Sequence, residues 1–286
     1  MPSPPPDARS LLGRVLHSEP CGADGAIVTI ETEHELPPIR ASRFFMLART
    51  DGLSPLIPRP FSIYRQRGRE LDFLLKVMGR GTRVLASAPK GTEVRVVGPL
   101  GNGWPTLDGE GAPWVFLAGG VGAAPFDMAI EQALGGMDGK PCVSRDGGVF
   151  YLFGAASEGF LYDFEALSRF GIPLHAATDD GSRGFEGNVL GLLEKLQGEG
   201  AIPERIRILA CGPDPMLHAV ERFAGEHDLE AYLSLETLMG CGVGICNGCP
   251  VATLPEGPLG AWPNAKCCVE GPVFSTRAIT LSSHAS

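Results

Sequence analysis

Five of the chain's eight cysteines lie between positions 241 and 268, and their spacing restricts what this end of the chain can fold around. Three of them form the motif Cys241-x4-Cys246-x2-Cys249. Together with one more cysteine further along the chain, this is the plant-type spacing of the ligands of a [2Fe–2S] cluster. Iron in a sulfide core prefers thiolate ligands, and small residues let backbone N–H groups approach the sulfur atoms. The loop contains four glycines: Gly240, Gly242, Gly244 and Gly248. The pattern therefore predicts an iron–sulfur site.

The cysteine pattern leaves the fourth ligand and the metal open. Cys267 and Cys268 are adjacent, and since only one of two neighbouring side chains can easily face the same centre, spacing alone does not decide between them. A zinc site is the alternative, but zinc sites usually use paired Cys-x2–4-Cys motifs, so a single loop with x4 followed by x2 favours iron–sulfur. Three cysteines stand apart and are expected to be small buried hydrophobic residues: Cys21, Cys142 and Cys211.

Between residues 11 and 97, short apolar runs alternate with turn residues. Three of these runs predict strands: Gly25–Ile30, Leu71–Val77 and Thr92–Val97. Several short strands at such spacing are typical of an antiparallel barrel or sandwich. We therefore expect an antiparallel β domain over residues 1–108.

Beyond a Gly-, Asp- and Glu-rich linker at residues 107–113, strands alternate with helices. The predicted strands are Trp114–Ala118, Gly148–Phe153, Leu174–Thr178 and Ile206–Ala210, and the predicted helices are Ala124–Leu134, Val189–Gln197 and Pro215–Gly225. This alternation favours a doubly wound parallel sheet, which we assign to residues 109–230. Residues 231–286 are rich in turn residues. They are too few to form a stable core of their own without a cross-link such as a metal centre.

Two motifs in the first domain carry residue types that bind flavins. In Arg59-Pro-Phe-Ser-Ile-Tyr64, an arginine can pair with a pyrophosphate, a serine can bond a flavin or phosphate, and Tyr64 can stack on an isoalloxazine ring. The simpler interpretation is an ordinary strand. Gly79-Arg-Gly-Thr82 precedes a helix-like segment at 83–88, whose first N–H groups favour phosphate, with Thr82 also suited to cap the helix.

Two motifs in the second domain have the context of nucleotide-binding loops. Gly119-Gly-Val-Gly122 follows a buried strand and precedes a helix, although it departs from the full G-x-G-x-x-G pattern. Cys211-Gly-Pro-Asp-Pro-Met216 follows a later strand, with Pro215 suited to the first helical turn. Each motif alone is equally compatible with a plain strand–helix turn.

Charge and hydropathy exclude several function classes. With 24 Lys+Arg against 33 Asp+Glu, the net charge of −9 is unsuited to neutralising a phosphate backbone. No apolar run reaches the roughly 18 residues of a transmembrane helix, and Met1–Ser10 lacks the basic-then-apolar order of a secretory signal. We expect a cytoplasmic protein with no nucleic-acid partner and no membrane span.

The order of these motifs resembles the ferredoxin–NADP+ reductase superfamily over nearly the whole chain. Glu236-Thr-Leu-Met-Gly-Cys-Gly-Val-Gly-Ile-Cys-Asn-Gly-Cys249 and Lys266-Cys-Cys-Val-Glu-Gly-Pro-Val-Phe274 are similar to the ends of electron-transfer subunits of dihydroorotate dehydrogenase type B. In that family the last cluster cysteine lies two residues before an acidic-Gly-Pro-Val-Phe run, so the resemblance implies Cys268 rather than Cys267. Glu270 stands where the family usually has aspartate.

The resemblance implies an FAD-binding β-barrel (1–108), a nicotinamide-binding α/β domain (109–230) and a small C-terminal [2Fe–2S] domain (231–286). The implied cluster ligands are Cys241, Cys246, Cys249 and Cys268. The implied FAD-binding residues are Arg59, Pro60, Phe61, Ser62, Leu74, Leu75, Lys76, Gly81 and Thr82. The implied NAD(H)-binding residues are Gly119, Gly120, Val121, Gly122, Cys211, Gly212 and Pro213. Asp179-Asp-Gly181 also resembles a family loop, without an assigned catalytic role.

The implied role is an electron relay in pyrimidine biosynthesis. Electrons would pass between NAD(H), FAD, the cluster and the FMN of a separate dihydroorotate dehydrogenase catalytic subunit, with a heterotetramer as the expected assembly. One alternative is a related flavin/iron–sulfur reductase subunit of a sulfide dehydrogenase or transhydrogenase complex. The other is a non-enzymatic binding module stapled by zinc.

Overall fold

The computed structural model describes residues 5–51, 57–135 and 142–281. These residues form two seven-stranded sheets and one two-stranded sheet. Each large sheet corresponds to one of the first two predicted regions, and the C-terminal region packs against both.

The first sheet is antiparallel and curls into a half-barrel. Its strands are β1 (Arg9–Cys21), β2 (Gly25–Thr32), β3 (Phe44–Arg49), β4 (Arg59–Ser62), β5 (Arg65–Arg67), β6 (Glu70–Lys76) and β7 (Glu93–Leu100), in the order β4-β3-β7-β1-β2-β6-β5. Only two residues separate the edge strands β4 and β5 along the chain, so the sheet must bend until its edges approach each other. Helix α1 (Arg80–Ala86) connects β6 to β7.

The second sheet is the predicted doubly wound parallel sheet. Its strands are β8 (Trp114–Gly119), β9 (Val149–Ala155), β10 (Leu174–Thr178), β11 (Phe185–Glu186), β12 (Arg207–Cys211), β13 (Glu230–Ser234) and β16 (Val273–Ser275), in the order β11-β10-β9-β8-β12-β13-β16. Three α-helices accompany them: α2 (Phe126–Gly135), α3 (Val189–Gly198) and α4 (Asp214–Glu226). All neighbouring strands are parallel except β13 and β16.

The strand order of this sheet reverses between β8 and β12. In open α/β sheets, ligands bind at the carboxyl ends of the strands at such a switch point. The loop 119–122 leaves β8 and the loop 211–213 leaves β12 at the same edge. The topology therefore brings the two predicted nucleotide motifs together.

The C-terminal region is joined to the α/β sheet. Strands β14 (Pro250–Ala252) and β15 (Asn264–Lys266) form a small sheet of their own, whereas β16 extends the large sheet by pairing with β13. Because β13 begins at Glu230 and pairs with β12, the sheet continues past the predicted boundary at 230/231. The division into three domains stays a prediction.

Two buried clusters connect the three regions. In the first, Trp104 stacks on Phe126 of α2 with ring centroids 5.5 Å apart, and the cluster extends into the half-barrel. The second joins the opposite face of the α/β sheet to Met46 and Cys267. Shared cores hold the three regions in fixed relative positions. Within the described ranges, no helix combines the length and apolar character needed to cross a membrane.

Candidate functional site

The four predicted cluster cysteines form two pairs. The Sγ atoms of Cys249 and Cys268 are 3.3 Å apart, and the backbone N–H of Cys246 donates to Sγ of Cys241 at 3.4 Å. Two thiolates on one tetrahedral metal ion, with bonds of about 2.3 Å, lie roughly 3.7 Å apart. Within the described ranges, no three His, Cys, Asp or Glu side chains converge on a single ion. Two separate cysteine pairs fit a two-iron centre, with two ligands for each iron.

The adjacent residues Cys267 and Cys268 face different surroundings. Cys267 is fully buried, and its Sγ lies 3.8 Å from the carbonyl oxygen of Leu235. Cys268 points towards Cys249 instead. This geometry agrees with the choice of Cys268 that the family resemblance implies.

Hydrogen bonding favours thiolates in the cysteine loop. The hydrogen bond between the thiols of Cys249 and Cys268 lowers the pKa of Cys249 to about 6 and raises the pKa of Cys268. At Cys241 burial opposes ionisation, but the N–H groups of Cys246 and Val243 outweigh it and lower the pKa to about 7. Metal ligation requires the thiolate form, so this loop is suited to it.

Two glycines in the cysteine loop are required by the backbone and by close packing. Gly242 and Gly244 have φ values of +71° and +81°. A Cβ at Gly242 would lie 2.5 Å from Cγ of Met46 in β3, and one at Gly244 would lie 2.6 Å from a methyl group of Val269. The loop therefore packs directly against the half-barrel.

The segment predicted to bind flavin forms the edge strand β4. Pro60 pairs with Met46, and Ser62 pairs with Phe44 in β3. The side chain of Arg59 is exposed and that of Phe61 is half-buried. Since Met46 also contacts Gly242, the predicted flavin segment lies one strand away from the cysteine loop.

The other predicted flavin residues lie at the end of β6 and in α1. The side chains of Leu74 and Leu75 are buried, so only their backbones could contact a cofactor. Nζ of Lys76 lies 3.5 Å from Asp24, at the mouth of a cavity. Gly81 lies in the first turn of α1, where backbone N–H groups have no intrahelical partner.

Two local interpretations of the first domain were wrong. Gly79, not Thr82, is the N-cap of α1, and Oγ1 of Thr82 accepts hydrogen bonds from the N–H groups of Met78 and Gly79 at 3.0 and 3.2 Å. Tyr64 cannot stack on a flavin, because its ring is 2% exposed and its hydroxyl donates to Asp163 at 2.5 Å. Phe61 is the available aromatic ring in that motif.

The two predicted nucleotide loops are in direct contact. A Cβ at Gly119 would lie 2.8 Å from Cδ of Pro213, and one at Gly122 would lie 2.3 Å from the carbonyl oxygen of Cys211. A Cβ at Gly212 would lie 3.0 Å from Cα of Gly119. Glycine at these positions lets the loops after β8 and β12 meet, and Val121 lies in the short 3-10 helix that follows Gly119.

A cavity of about 340 Å³ opens where these elements meet, a size typical of small-molecule sites. Its lining joins Lys76 of the half-barrel to the loops that follow β8, β9, β10 and β12. Lining residues that the sequence did not predict as binding residues are Gly154, Ala155, Ala156, Phe160, Tyr162, Asp179, Asn188, Val189 and Met216. Of these, Met216 belongs to the predicted Cys211–Met216 motif, and Asp179 to the Asp179–Gly181 segment that resembles a family loop.

Burial keeps the thiol of Cys211 neutral two residues before Pro213, which lines this cavity. The pKa of Cys211 rises to about 12 because its surroundings exclude water, with Glu236 adding to the rise. Cys211 pairs in register with Ser234 of β13, whose Oγ lies 2.8 Å from Oγ of Ser42 in the half-barrel. The β12 side of the cavity is therefore tied to the first sheet.

Comparisons with known proteins agree with this geometry. Residues 236–280 match the family model for the iron–sulfur cluster binding domain of dihydroorotate dehydrogenase B. The chain is 34% identical over 243 residues to "Dihydroorotate dehydrogenase B (NAD(+)), electron transfer subunit" of Lysinibacillus sphaericus (strain C3-41), covering 84% of this chain and 86% of the relative. It is 32% identical to the protein of the same name from Bacillus cereus (strain Q1), again over 84% of this chain and 86% of the relative.

Solved structures share the fold at lower identity. An NADH-dependent reduced ferredoxin–NADP oxidoreductase is similar with a TM-score of 0.75 and 22% identity, over 94% of this chain and 89% of that one. The Amycolatopsis cytochrome P450 reductase GcoB has a TM-score of 0.63 and 19% identity, over 77% of this chain and 66% of that one. These similarities bear out the predicted fold class.

Proposed function

Because the chain belongs to the family of electron-transfer subunits of dihydroorotate dehydrogenase B, we propose that it relays electrons between that enzyme's FMN-containing catalytic subunit and NAD(H). FAD and a [2Fe–2S] cluster would be its resident cofactors. The relatives' names include NAD(+), so the electrons are expected to end on NAD+ in the forward reaction.

One observation carries this proposal: the half-barrel that contains the predicted flavin residues adjoins both the cysteine loop and the predicted nucleotide loops. Gly242 of the cysteine loop contacts Met46, whose ladder partner Pro60 lies in the flavin segment. Lys76 of the half-barrel shares a cavity with Gly119 and Pro213 of the nucleotide loops. Such adjacency is what a relay between three redox groups requires.

The residues present fit all three groups. For FAD, the exposed guanidinium of Arg59 can pair with the pyrophosphate, the half-buried Phe61 can contact the ring, and Ser62 can bond it. Leu74 and Leu75 would contribute backbone, Lys76 its ammonium group, and Gly81 and Thr82 the N–H groups of the first turn of α1. The cysteine pairs Cys241–Cys246 and Cys249–Cys268 would each hold one iron.

The protein's part in the reaction is positioning. The loops 119–122 and 211–213 would bind the dinucleotide and direct its nicotinamide towards the flavin. Bound FAD exchanges two electrons as a hydride with nicotinamide and exchanges them singly with a one-electron cluster. The hydrogen bonds from Val243 and Cys246 N–H to Cys241 Sγ would tune the potential of the centre.

The partner and the location are part of the same proposal. Leu238 and Ile245, 90% and 80% exposed, lie in the same segment as the exposed Cys246 and would give the catalytic subunit apolar side chains to cover in a heterotetramer. A cytoplasmic location is supported by the proposed cluster ligands Cys241, Cys246, Cys249 and Cys268, because they must stay reduced to hold iron and a reducing compartment keeps thiols in that state.

The test is a visible absorption spectrum of anaerobically purified protein before and after NADH. We expect flavin bands and a broad iron–sulfur absorption, both bleached by NADH. Cys246→Ser should remove the iron and the broad absorption while the flavin and its bleaching by NADH remain. A colourless wild-type protein with bound zinc would reject the relay, and colour that NADH leaves unchanged would reject NAD(H) as the electron-transfer partner.

A further inference from the structure

Lys266 places its ammonium group directly against the cysteine loop. Nζ of Lys266 donates to the carbonyl oxygen of Gly244 at 2.7 Å, and Gly244 lies between Cys241 and Cys246 in the chain. The side chain is half-buried and, over the residues that the structure describes, it makes no ion pair with a carboxylate. Because no carboxylate neutralises it, the charge acts on the groups that surround the loop.

The carbonyl group that Lys266 binds belongs to a stretch of backbone that faces a predicted ligand. The N–H groups of Val243 and Cys246 both donate to Sγ of Cys241, at 3.5 and 3.4 Å. Gly244 follows Val243 directly and has a φ of +81°, so the chain turns between the two donors. The bond from Lys266 therefore holds the part of the loop whose N–H groups point at the sulfur atom.

The backbone of Lys266 belongs to the turn that contains Cys268. Its carbonyl oxygen accepts hydrogen bonds from the N–H groups of Val269 and Glu270, both at 2.9 Å, and its own N–H donates to Oε2 of Glu270 at 2.6 Å. These bonds close the turn around Cys268. The side chain of Lys266 therefore crosses from the turn that contains one predicted ligand to the loop that contains the first ligand pair.

Charges near a cluster change how readily it accepts an electron. One-electron reduction adds a negative charge to a centre that four thiolates already make negative, and it forms and breaks no covalent bond. A nearby cation stabilises the added charge, and a nearby carboxylate opposes it. The carboxylate of Glu270 is held at the backbone of the turn, whereas the ammonium group of Lys266 is held on the cysteine loop itself.

We propose that Lys266 raises the reduction potential of the [2Fe–2S] cluster through the positive charge that it holds at the carbonyl oxygen of Gly244. Lys266 is a positioning residue, because it acts on the cluster through the cysteine loop and not as a ligand. At a given NADH concentration, a larger fraction of the cluster is then reduced by single electrons from the flavin. The inference rests on the proposed function, because it requires the four cysteines to hold this cluster.

The experiment is a dithionite titration of the cofactor-loaded protein, in which the electron paramagnetic resonance signal of the reduced cluster gives its midpoint potential. Lys266→Gln keeps an N–H donor and Lys266→Met keeps only an apolar chain, and both remove the charge. Each should lower the equilibrium constant for one-electron reduction about tenfold, as expected of one charge near a partly exposed centre, which is about 59 mV. Lys266→Arg keeps the charge and should stay within about threefold of the wild-type constant.

Lys195→Gln is the matched control, because it removes the same charge from an exposed pair with Glu199 on α3. Helix α3 contacts β9 and β10, on the opposite side of the sheet from β13, which leads into the cysteine loop. The midpoint potential of this variant should equal that of the wild type.

The two proposals fail in different ways. A lowered potential in Lys266→Met with a wild-type value in Lys266→Gln would assign the effect to the hydrogen bond and overturn the role of the charge. An unchanged potential in both variants, or an equal shift in Lys195→Gln, would overturn it as well. Loss of iron from Lys266→Gln would make Lys266 a purely structural link. A wild-type protein without the signal of a reduced [2Fe–2S] cluster overturns the proposed function, and the role of Lys266 with it.

Discussion

Cys267 and Cys268 have different surroundings, and these surroundings decide which of the two thiols can face the predicted cluster. The two thiols are adjacent, yet one faces the core beside Leu235 and the other faces Cys249. Burial raises the pKa of Cys267 to about 12, which keeps it a neutral thiol. The spacing of cysteines predicts the kind of centre, but it cannot choose between neighbours, because that choice depends on how the backbone turns.

We predict that Cys268→Ser loses iron and Cys267→Ser keeps it. A serine at 268 removes one of two thiolates from its pair, whereas a serine at 267 can donate to the same carbonyl oxygen of Leu235 at a cost of about 1 kcal/mol in stability. Iron and FAD contents of the purified variants measure this. Iron retained in Cys268→Ser and lost in Cys267→Ser would reverse the ligand assignment.

The sequence proposes individual binding residues only where a motif preserves their order. The Arg59–Ser62 motif forms one edge strand in which Arg59 is exposed and the next three residues are half-buried. Tyr64 continued the same run in sequence, but the chain turns between β4 and β5 and buries its ring next to Asp163. Asp179 was noted in the sequence only as part of a loop that resembles a family loop, because its place in the cavity depends on strands that are distant in sequence.

Among the elements, regular apolar strands and helices were predictable and short or mixed strands were not. Leu174–Thr178 was predicted to the residue, and α3 differs by one residue at its end. By contrast, most side chains of β1 are exposed or half-buried, and Pro20 lies near its end. The three-residue strands of the C-terminal region are too short to show an alternation of apolar and polar residues. Their pairing comes from tertiary context, which often overrides local propensity.

We predict that Gly122→Ala separates the loops after β8 and β12. Its Cβ would lie 2.3 Å from the carbonyl oxygen of Cys211, so the loops must move apart, and overpacking of this kind costs about 1–3 kcal/mol. NADH affinity should fall about tenfold or more, while FAD and iron contents stay unchanged. Titration of the protein with NADH, followed by flavin absorbance, measures the effect.

Gly135→Ala is the control for this substitution, since a Cβ at the end of α2 would meet nothing within 4 Å. It should leave NADH affinity unchanged and stabilise the fold slightly, because alanine loses less conformational freedom on folding. Equal NADH affinity in Gly122→Ala and Gly135→Ala would show that close contact between the two loops is not needed for binding.

At the scale of the whole molecule, a charged cluster between the sheets holds the half-barrel against the α/β domain. Arg65 of β5 donates to Asp127 of α2 at 2.9 Å and to Asp163 at 2.7 Å. Arg169 also contacts Asp127, whose carboxylate is 1% exposed. Because α2 directly follows the loop 119–122, this cluster links the nucleotide loop to the sheet that carries the flavin segment.

We therefore predict that Asp127→Asn slows electron exchange between the dinucleotide and the flavin, while the FAD and iron contents of the protein stay unchanged. Loss of the charge leaves Arg65 and Arg169 only partly compensated, and breaking a buried pair costs about 3 kcal/mol, seen as a lower urea midpoint. If the two sheets are held less firmly, the nicotinamide can move away from the flavin. A shift of about 1 Å can slow hydride transfer up to a hundredfold. Stopped-flow flavin reduction by NADH measures the rate.

Asp228→Asn is the matched control, because Asp228 forms an exposed ion pair with Arg277. It should change neither the urea midpoint nor the rate of flavin reduction. A variant destabilised like Asp127→Asn but reduced at the wild-type rate would make the cluster a structural support with no part in positioning the reaction.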